Sequence, residues 1–287
     1  MRNSMNRACR MPAAMVAGFF LLGGFAFAQA PSAADPAHFT YDKRAALNVK
    51  QISARARDGV TIQDITYTGS NGDTVPATLV IPKDSGKFAA IVWGHWLMDG
   101  AANANRGEFL DEAIALASSG VVSLLIDAPQ IRPNFKPIPG SGAALVEQQV
   151  VDLRRGLDLL LSRPDIDAAR TAYVGHSFDA ATGAILDDKD KRFAAFVFMS
   201  GPRKMDMPKE KTWADPGTYA NKLGPAPALF QYSLHDEEFV PLADARDYAA
   251  AASGPKTVEF YDADHALNAK ARIDRDAFLR KALKLSP

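Results

Sequence analysis

Cysteine is almost absent: in 287 residues the only one is Cys9, ahead of an apolar run near the N-terminus. A chain cut after that run keeps no thiol, which excludes disulfides, a cysteine nucleophile and thiolate metal sites from the remainder. An excess of either charge is also missing, with Lys+Arg and Asp+Glu at 33 each. There is then no electrostatic footprint for nucleic acid or for an anionic membrane surface. Metal-ligand clusters, a phosphate-cradling glycine loop and a dinucleotide fingerprint are lacking, so no cofactor is expected. Internal repeats and low-complexity tracts are lacking as well.

What is present is ordinary globular usage, 47% hydrophobic and 23% charged, at a length that allows one large α/β domain with a well-buried core. Residues 1–28 have the pattern of an export signal: Arg2, Arg7 and Arg10 precede an apolar run from Met11 to Phe25, and Ala26-Phe27-Ala28 offers a cleavage site before Gln29. Pro12, Gly18, Gly23 and Gly24 interrupt the run, which is short for a membrane span. The expected mature chain begins near Gln29, without a stable membrane anchor, in a periplasm or outside the cell.

Residues 29–60 read as a lead-in, with a short helix around Lys43 to Lys50. Two β-type runs follow, Thr61 to Thr68 and Thr74 to Ile81, joined through Asn71-Gly72 as a hairpin, with Pro76 suiting an edge strand. From Phe88 onward short apolar runs alternate with amphipathic helical stretches. The runs are 89–93, 121–126, 171–174, 193–199, 228–232 and 257–261; the clearest helix sets Val146, Val150, Leu153, Leu157 and Leu160 on one face before Pro164. This alternation predicts a mostly parallel sheet with an N-terminal antiparallel hairpin and helices on both faces over 61–287. Ligands bind beyond the carboxyl ends of such strands.

The chain is organised around YVGHSFDAATG, Tyr173 to Gly183. An apolar strand runs into Gly175-His176-Ser177 and small residues open a helix, the setting in which a serine hydroxyl is thrust out on a tight strand-to-helix turn. Ser177 is the candidate nucleophile, and the start of the helix supplies free N–H groups for a developing oxyanion. At these residues the chain resembles the α/β-hydrolase superfamily, in particular its dienelactone-hydrolase-like and esterase branch, from about Ile62 to the C-terminus. The last position of the usual G-x-S-x-G is Asp179 here; it either caps its helix or places charge near the oxyanion.

The resemblance implies the chain order serine, acid, histidine. His265, in the loop after the last strand, is then the general base. The acid comes from Asp236-Glu237-Glu238: counting from the strand selects Asp236, counting back from Val240-Pro241 selects Glu237, and the shorter reach favours Asp236. Two backbone N–H donors should form the oxyanion hole, one from Phe178 and the other from Leu97 or, alternatively, Trp96 in Gly94-His95-Trp96-Leu97. Asp127 reads as a structural strand-end acid, Asp167 and Arg170 as a surface pair, and Arg272 and Arg275 as a charged helix face.

Two connections shape the mouth. The first, 128–142, carries Arg132, Phe135 and Lys136, whose two cations would suit acidic substrates; the second, 200–227, carries Met205, Met207, Trp213 and Tyr219, enough for a short cap but no large lid domain. The implied activity is hydrolysis of a small-molecule carboxylic ester by a Ser-His-Asp triad through an acyl-enzyme. Alternatives are a peptidase or thioesterase of the same fold, or a catalytically silent binding protein. Dienelactone hydrolases proper use cysteine by family resemblance, so Ser177 points away from that particular reaction.

Overall fold

The computed structural model describes residues 38–69, 71–133, 135, 142–205 and 208–285. The expected signal segment with Cys9, and also Ser70, Lys136 and Met207, lie outside the described residues. Nine strands form one sheet: β1 (Lys50–Arg57), β2 (Val60–Thr68), β3 (Thr74–Pro82), β4 (Phe88–Gly94), β5 (Val121–Ile126), β6 (Ile166–His176), β7 (Ala195–Met199), β8 (Ala228–Ser233) and β9 (Lys256–Tyr261). Their order is β1-β2-β3-β5-β4-β6-β7-β8-β9. Pairing is antiparallel from β1 through β5 and parallel from β5 through β9.

Side-chain alternation along the parallel strands divides the core into two layers. Ala90 and Val92 of β4, Leu124 of β5, Tyr173 of β6 and Phe196 of β7 face α2 (Gly142–Leu161), α3 (Phe178–Lys189) and α4 (Leu242–Ala251). Ile91, Trp93, Leu125, Val174 and Val197 face the opposite way, toward α1 (Leu110–Ala117) and α5 (Ala269–Ala282). The central strands β4, β5 and β7 are largely apolar because both faces are covered, and the five residues on the predicted stripe of α2 are all fully buried.

Three local expectations give way. The sheet starts at Lys50, inside the stretch expected as lead-in, and no helix forms over 43–50. The Arg155 guanidinium holds the carbonyls of Ala45, Ala46 and Thr68, and Thr68 N–H donates to Leu47 O. That anchoring draws an otherwise marginal one- to two-turn segment out as chain. Pro76 does not mark an edge strand: β3 lies between β2 and β5, but the register with β5 begins only at Ala77, so the missing N–H falls just before it. The edge on this side is β1, exposed along its length and carrying Lys50, Arg55 and Arg57, charges that discourage pairing with another chain.

The described residues of the connection 200–227 dock on the helical layer of α2, α3 and α4. Its 3-10 segments Lys209–Ala214 and Pro216–Lys222 set Trp213 in a stack on His38 at 3.5 Å and bury Tyr219 against Phe39. Its length is spent closing the α2–α3 layer. Among the described residues no helix is long and apolar enough to cross a membrane.

Truncating a stripe residue tests the layer that α2 supports. Leu157→Ala should lower the free energy of denaturant unfolding by roughly 2–5 kcal/mol through the cavity it leaves, whereas Ile273→Ala on exposed α5 surface should change it by less than about 0.5 kcal/mol.

Candidate active site

The parallel strands share one carboxyl edge, and every candidate functional residue sits at it. β6 ends at His176, and Ser177 stands between it and α3 with φ 54° and ψ −111°. Positive φ is costly for a side chain that carries a Cβ; here the turn is held because Ser177 N–H donates to Met199 O and Ala181 N–H returns to Ser177 O. Phe178 is the first residue of α3, so its N–H has no carbonyl one turn back.

Two glycines make the turn possible. Gly94 and Gly175 pair across β4 and β6, and a Cβ on Gly94 would come within 2.6 Å of the Asp179 side chain. A Cβ on Gly175 would strike the Asp179 carbonyl. The first turn of α3 therefore rests directly on the sheet.

Asp179 is neither a helix cap nor a solvated acid. Its carboxylate is fully buried and accepts from Gln149 Nε2 at 2.8 and 3.0 Å and from Thr182 Oγ1 at 2.9 Å, and no side chain caps α3. Burial pushes this carboxyl up to about 6, with Glu108 adding to the rise and His95, Gln149 and Thr182 opposing it.

Asp236 and His265, 29 residues apart in sequence, meet: His265 Nδ1 lies 2.5 Å from Asp236 Oδ2. Facing a carboxylate, Nδ1 carries the proton, which leaves the Nε2 lone pair to act as a base. Nε2 is buried without a hydrogen-bond partner, so no bond joins it to the Ser177 hydroxyl. Asp236 also accepts weakly from Phe239 N–H at 3.3 Å and is buried, whereas Glu237 and Glu238 are exposed. Between the two acids left open by counting, the histidine contacts Asp236. The His265 carbonyl is held by Ser200 Oγ and His176 Nε2, each at 3.0 Å.

The β4 loop is organised by groups that sequence reasoning passed over. His95 Nδ1 lies 2.5 Å from Trp96 O, and Ala128 N–H donates to its Nε2 at 2.9 Å; the second bond fixes the Nδ1–H tautomer and ties the ends of β4 and β5 together. Trp96 N–H donates to Glu108 Oε2 at 2.8 Å, which removes it as an oxyanion donor. Leu97 N–H donates to no protein group among the described residues. Glu108 Oε1 lies 2.6 Å from His176 Nδ1. Fourteen residues beyond the β4 end and outside any motif, Glu108 offers no signal in the sequence beyond being an acid just before a helix.

Several charges expected at the surface turn inward. Arg132 is buried, pairing with Asp152 at 2.6 Å and donating to the Asp127 carbonyl, so it does not face a substrate. Arg275, expected on a charged face, is buried against Glu112 and Gln231. Asp127 pairs with Arg106 and accepts its N–H, and Arg170 holds Asp167 at 2.8 Å, both as expected.

A cavity of about 340 Å³ opens beside His265. Trp96, Met98 and Phe239 supply its apolar wall, Glu237, Glu238 and Asp264 its acidic rim, and among the described residues no lysine or arginine lines it. Phe239 packs its ring 4.8 Å from that of His265. Among the described residues no group of His, Cys, Asp and Glu is arranged to hold a metal ion.

The chain has the α/β-hydrolase fold, and the solved structures it resembles include several esterases beside other hydrolases. An acetyl xylan esterase from Paenibacillus sp. R4 matches with a TM-score of 0.67 at 19% identity, covering 82% of this chain and 89% of that one. Acetyl xylan esterase 1 from Thermoanaerobacterium sp. JW/SL YS485 gives 0.65 at 14% identity over 82% and 88%. A cold-adapted esterase from an Arctic intertidal metagenomic library gives 0.62 at 18% identity over 80% and 97%. No family model and no curated protein matches the sequence.

The Asp179 carboxyl makes a signed prediction. Its folded value of about 6 lies above the ordinary 3.8, so the native state binds the proton more tightly than the unfolded chain. That contribution is present below about pH 4 and is lost as pH rises through 6, leaving the ionised group costing roughly 3 kcal/mol at neutral pH. Asp179→Asn, whose amide oxygen can still accept from Gln149 and Thr182, should raise the melting temperature at pH 7.5. The gap from the parent should close on approaching pH 4. A gap of equal size at both pH values would show that the carboxyl is not the source.

Proposed function

We propose that the protein is an exported serine hydrolase acting on small carboxylic esters. Ser177 attacks the ester carbonyl, and His265 Nε2 takes the hydroxyl proton and returns it to the leaving alcohol. Asp236 orients the imidazole and stabilises its charged form. The tetrahedral oxyanion is met by the N–H groups of Phe178 and Leu97. Water, activated by the same histidine, then releases the acyl group. The carrying observation is the Asp236–His265 contact, which leaves Nε2 unpartnered at the edge where Ser177 stands on a strained turn. Esterases among the structures of like fold support the ester reading, and the pattern of residues 1–28 supports export with cleavage before Gln29.

The cavity lining narrows the substrate. With Arg132 committed to Asp152 and the rim acidic, an anionic ester meets like charge while a neutral or cationic one does not. A mouth with no large lid domain over it among the described residues suits a short acyl group presented from solvent.

A fluorophosphonate probe should label the parent and leave Ser177→Ala unlabelled. Asp236→Asn should lower kcat by on the order of 10³–10⁴-fold, while Glu237→Gln stays within about twofold of the parent; absence of labelling would leave a silent binding protein as the reading. On matched butyrate esters differing only in alcohol charge, the anionic member should have a kcat/KM about five- to tenfold below the neutral one at low ionic strength, the ratio shrinking as salt screens the rim. Equal rates would remove the electrostatic selection.

A further inference from the structure

Glu108 and His176 are buried side chains that the reaction outlined above does not use. Their side chains are 9% and 1% exposed, and they lie 2.6 Å apart. Around them one polar chain links three segments. Trp96 N–H of the β4 loop donates to Glu108 Oε2, Glu108 Oε1 meets His176 Nδ1 at the serine turn, and His176 Nε2 donates to the carbonyl of His265 in the β9 loop. The rings repeat the order, with Trp96 stacked on His176 at 5.0 Å and His176 on His265 at 5.3 Å. Each linked segment carries one part of the site: an oxyanion donor, the serine, and the base.

The proton inventory is constrained. A carbonyl only accepts, so His176 Nε2 carries a hydrogen; Nδ1 faces a carboxyl oxygen, so one further proton lies between Nδ1 and Oε1. Whichever atom holds it, Glu108 and His176 together are neutral. Either residue alone would not replace the pair. Glu108 without His176 is a bare buried carboxylate beside the place where the oxyanion develops, and His176 without Glu108 loses the group that fixes its ring.

We propose that Glu108 and His176 are the positioning pair of this site. Glu108 takes the Trp96 amide, which leaves the Leu97 amide as the loop's donor to the oxyanion, and orients His176; His176 then sets the depth of the His265 backbone relative to Ser177. This assignment rests on the serine-hydrolase reading for its kinetic consequence, but the coupling to His265 stands on the hydrogen bonds alone.

The test is a set of variants assayed per folded molecule, with circular dichroism and melting temperature as controls. Glu108→Gln preserves the geometry, since its carbonyl accepts from Trp96 and its amide donates to His176 Nδ1, and should keep kcat within about threefold. Glu108→Ala and His176→Phe should each lower kcat by about 30-fold or more while KM moves by less than about threefold, the signature of lost alignment in the transition state. Adding Glu108→Ala to His176→Phe should restore part of the lost kcat, because it removes the stranded carboxylate. A merely structural pair would lower the melting temperature and leave kcat per folded molecule intact, which would overturn the proposal, as would purely additive losses. If the parent turns over no ester, the hydrolase reading fails and the pair is judged by proton NMR. The downfield Nδ1–H signal of His265 should shift or broaden in Glu108→Ala and stay put in Glu108→Gln; an unchanged signal in both would mean that the pair positions nothing.

Discussion

The site depends on how closely the first turn of α3 can approach the ends of β4 and β6. Gly94 and Gly175 stand side by side there, and a methyl group on either would have to occupy space filled by Asp179. Without that approach the chain could not leave β6 through the left-handed conformation at Ser177, and the N–H groups at the head of α3 would point along the sheet instead of across its edge. The strain at Ser177 is local, of order 1–3 kcal/mol, and is offset by a fully buried sheet on either side. A functional hydroxyl can be held in an unfavourable geometry because the elements around it cannot relax.

What lies beneath the turn is polar. Asp179 leans on Gln149, Gln149 reaches toward Arg132, and Arg132 closes on Asp152, a line of buried groups running from the serine turn to the middle of α2. An apolar residue at position 179 would pack there at lower cost, since burying a carboxyl is expensive even when it is hydrogen-bonded. What the carboxyl gives in return is direction: Gln149 and Thr182 hold it by three hydrogen bonds, so the first turn of α3 is fixed in rotation as well as in depth. Hydrophobic contact alone, being non-directional, does not fix rotation.

Much of this was legible in the residues. Parallel strands buried on both faces announce themselves as apolar runs, and the α2 stripe has an unmistakable period, so the sheet from β2 onward and its strongest helix could be placed to within a few residues, whereas the exposed β1 carries no such run. The serine turn and the histidine loop were marked by chain order and by their places at run ends. Most of the misreadings share one cause. Arg132, Arg275 and the Trp96 amide look free in one dimension because their partners, Asp152, Glu112 and Glu108, arrive from other elements. The stretch 43–50 failed likewise, its carbonyls claimed by Arg155 more than a hundred residues away. Hydrophobic periodicity is a local property and survives translation into sequence; the pairing of buried polar groups is decided only when the chain closes.

That distinction also explains how access to the site is arranged. The longest connection, 200–227, has the aromatic content of a lid, yet its rings find better burial against Phe39 and His38 than over an open cavity. With that segment docked on α2 and α3, the cavity is left to its own side chains. Phe239 packs on the His265 ring and Trp96 stacks against His176 and His265, while the carboxylates of Glu237 and Glu238 stay in water because Asp236 alone is drawn inward. A run of three adjacent acids is thus divided by geometry into one buried group that meets the His265 imidazole and two solvated ones that line the cavity. The turn that follows closes back on the first acid, with the Phe239 N–H on its side chain at 3.3 Å and the Val240 N–H on its carbonyl at 3.1 Å.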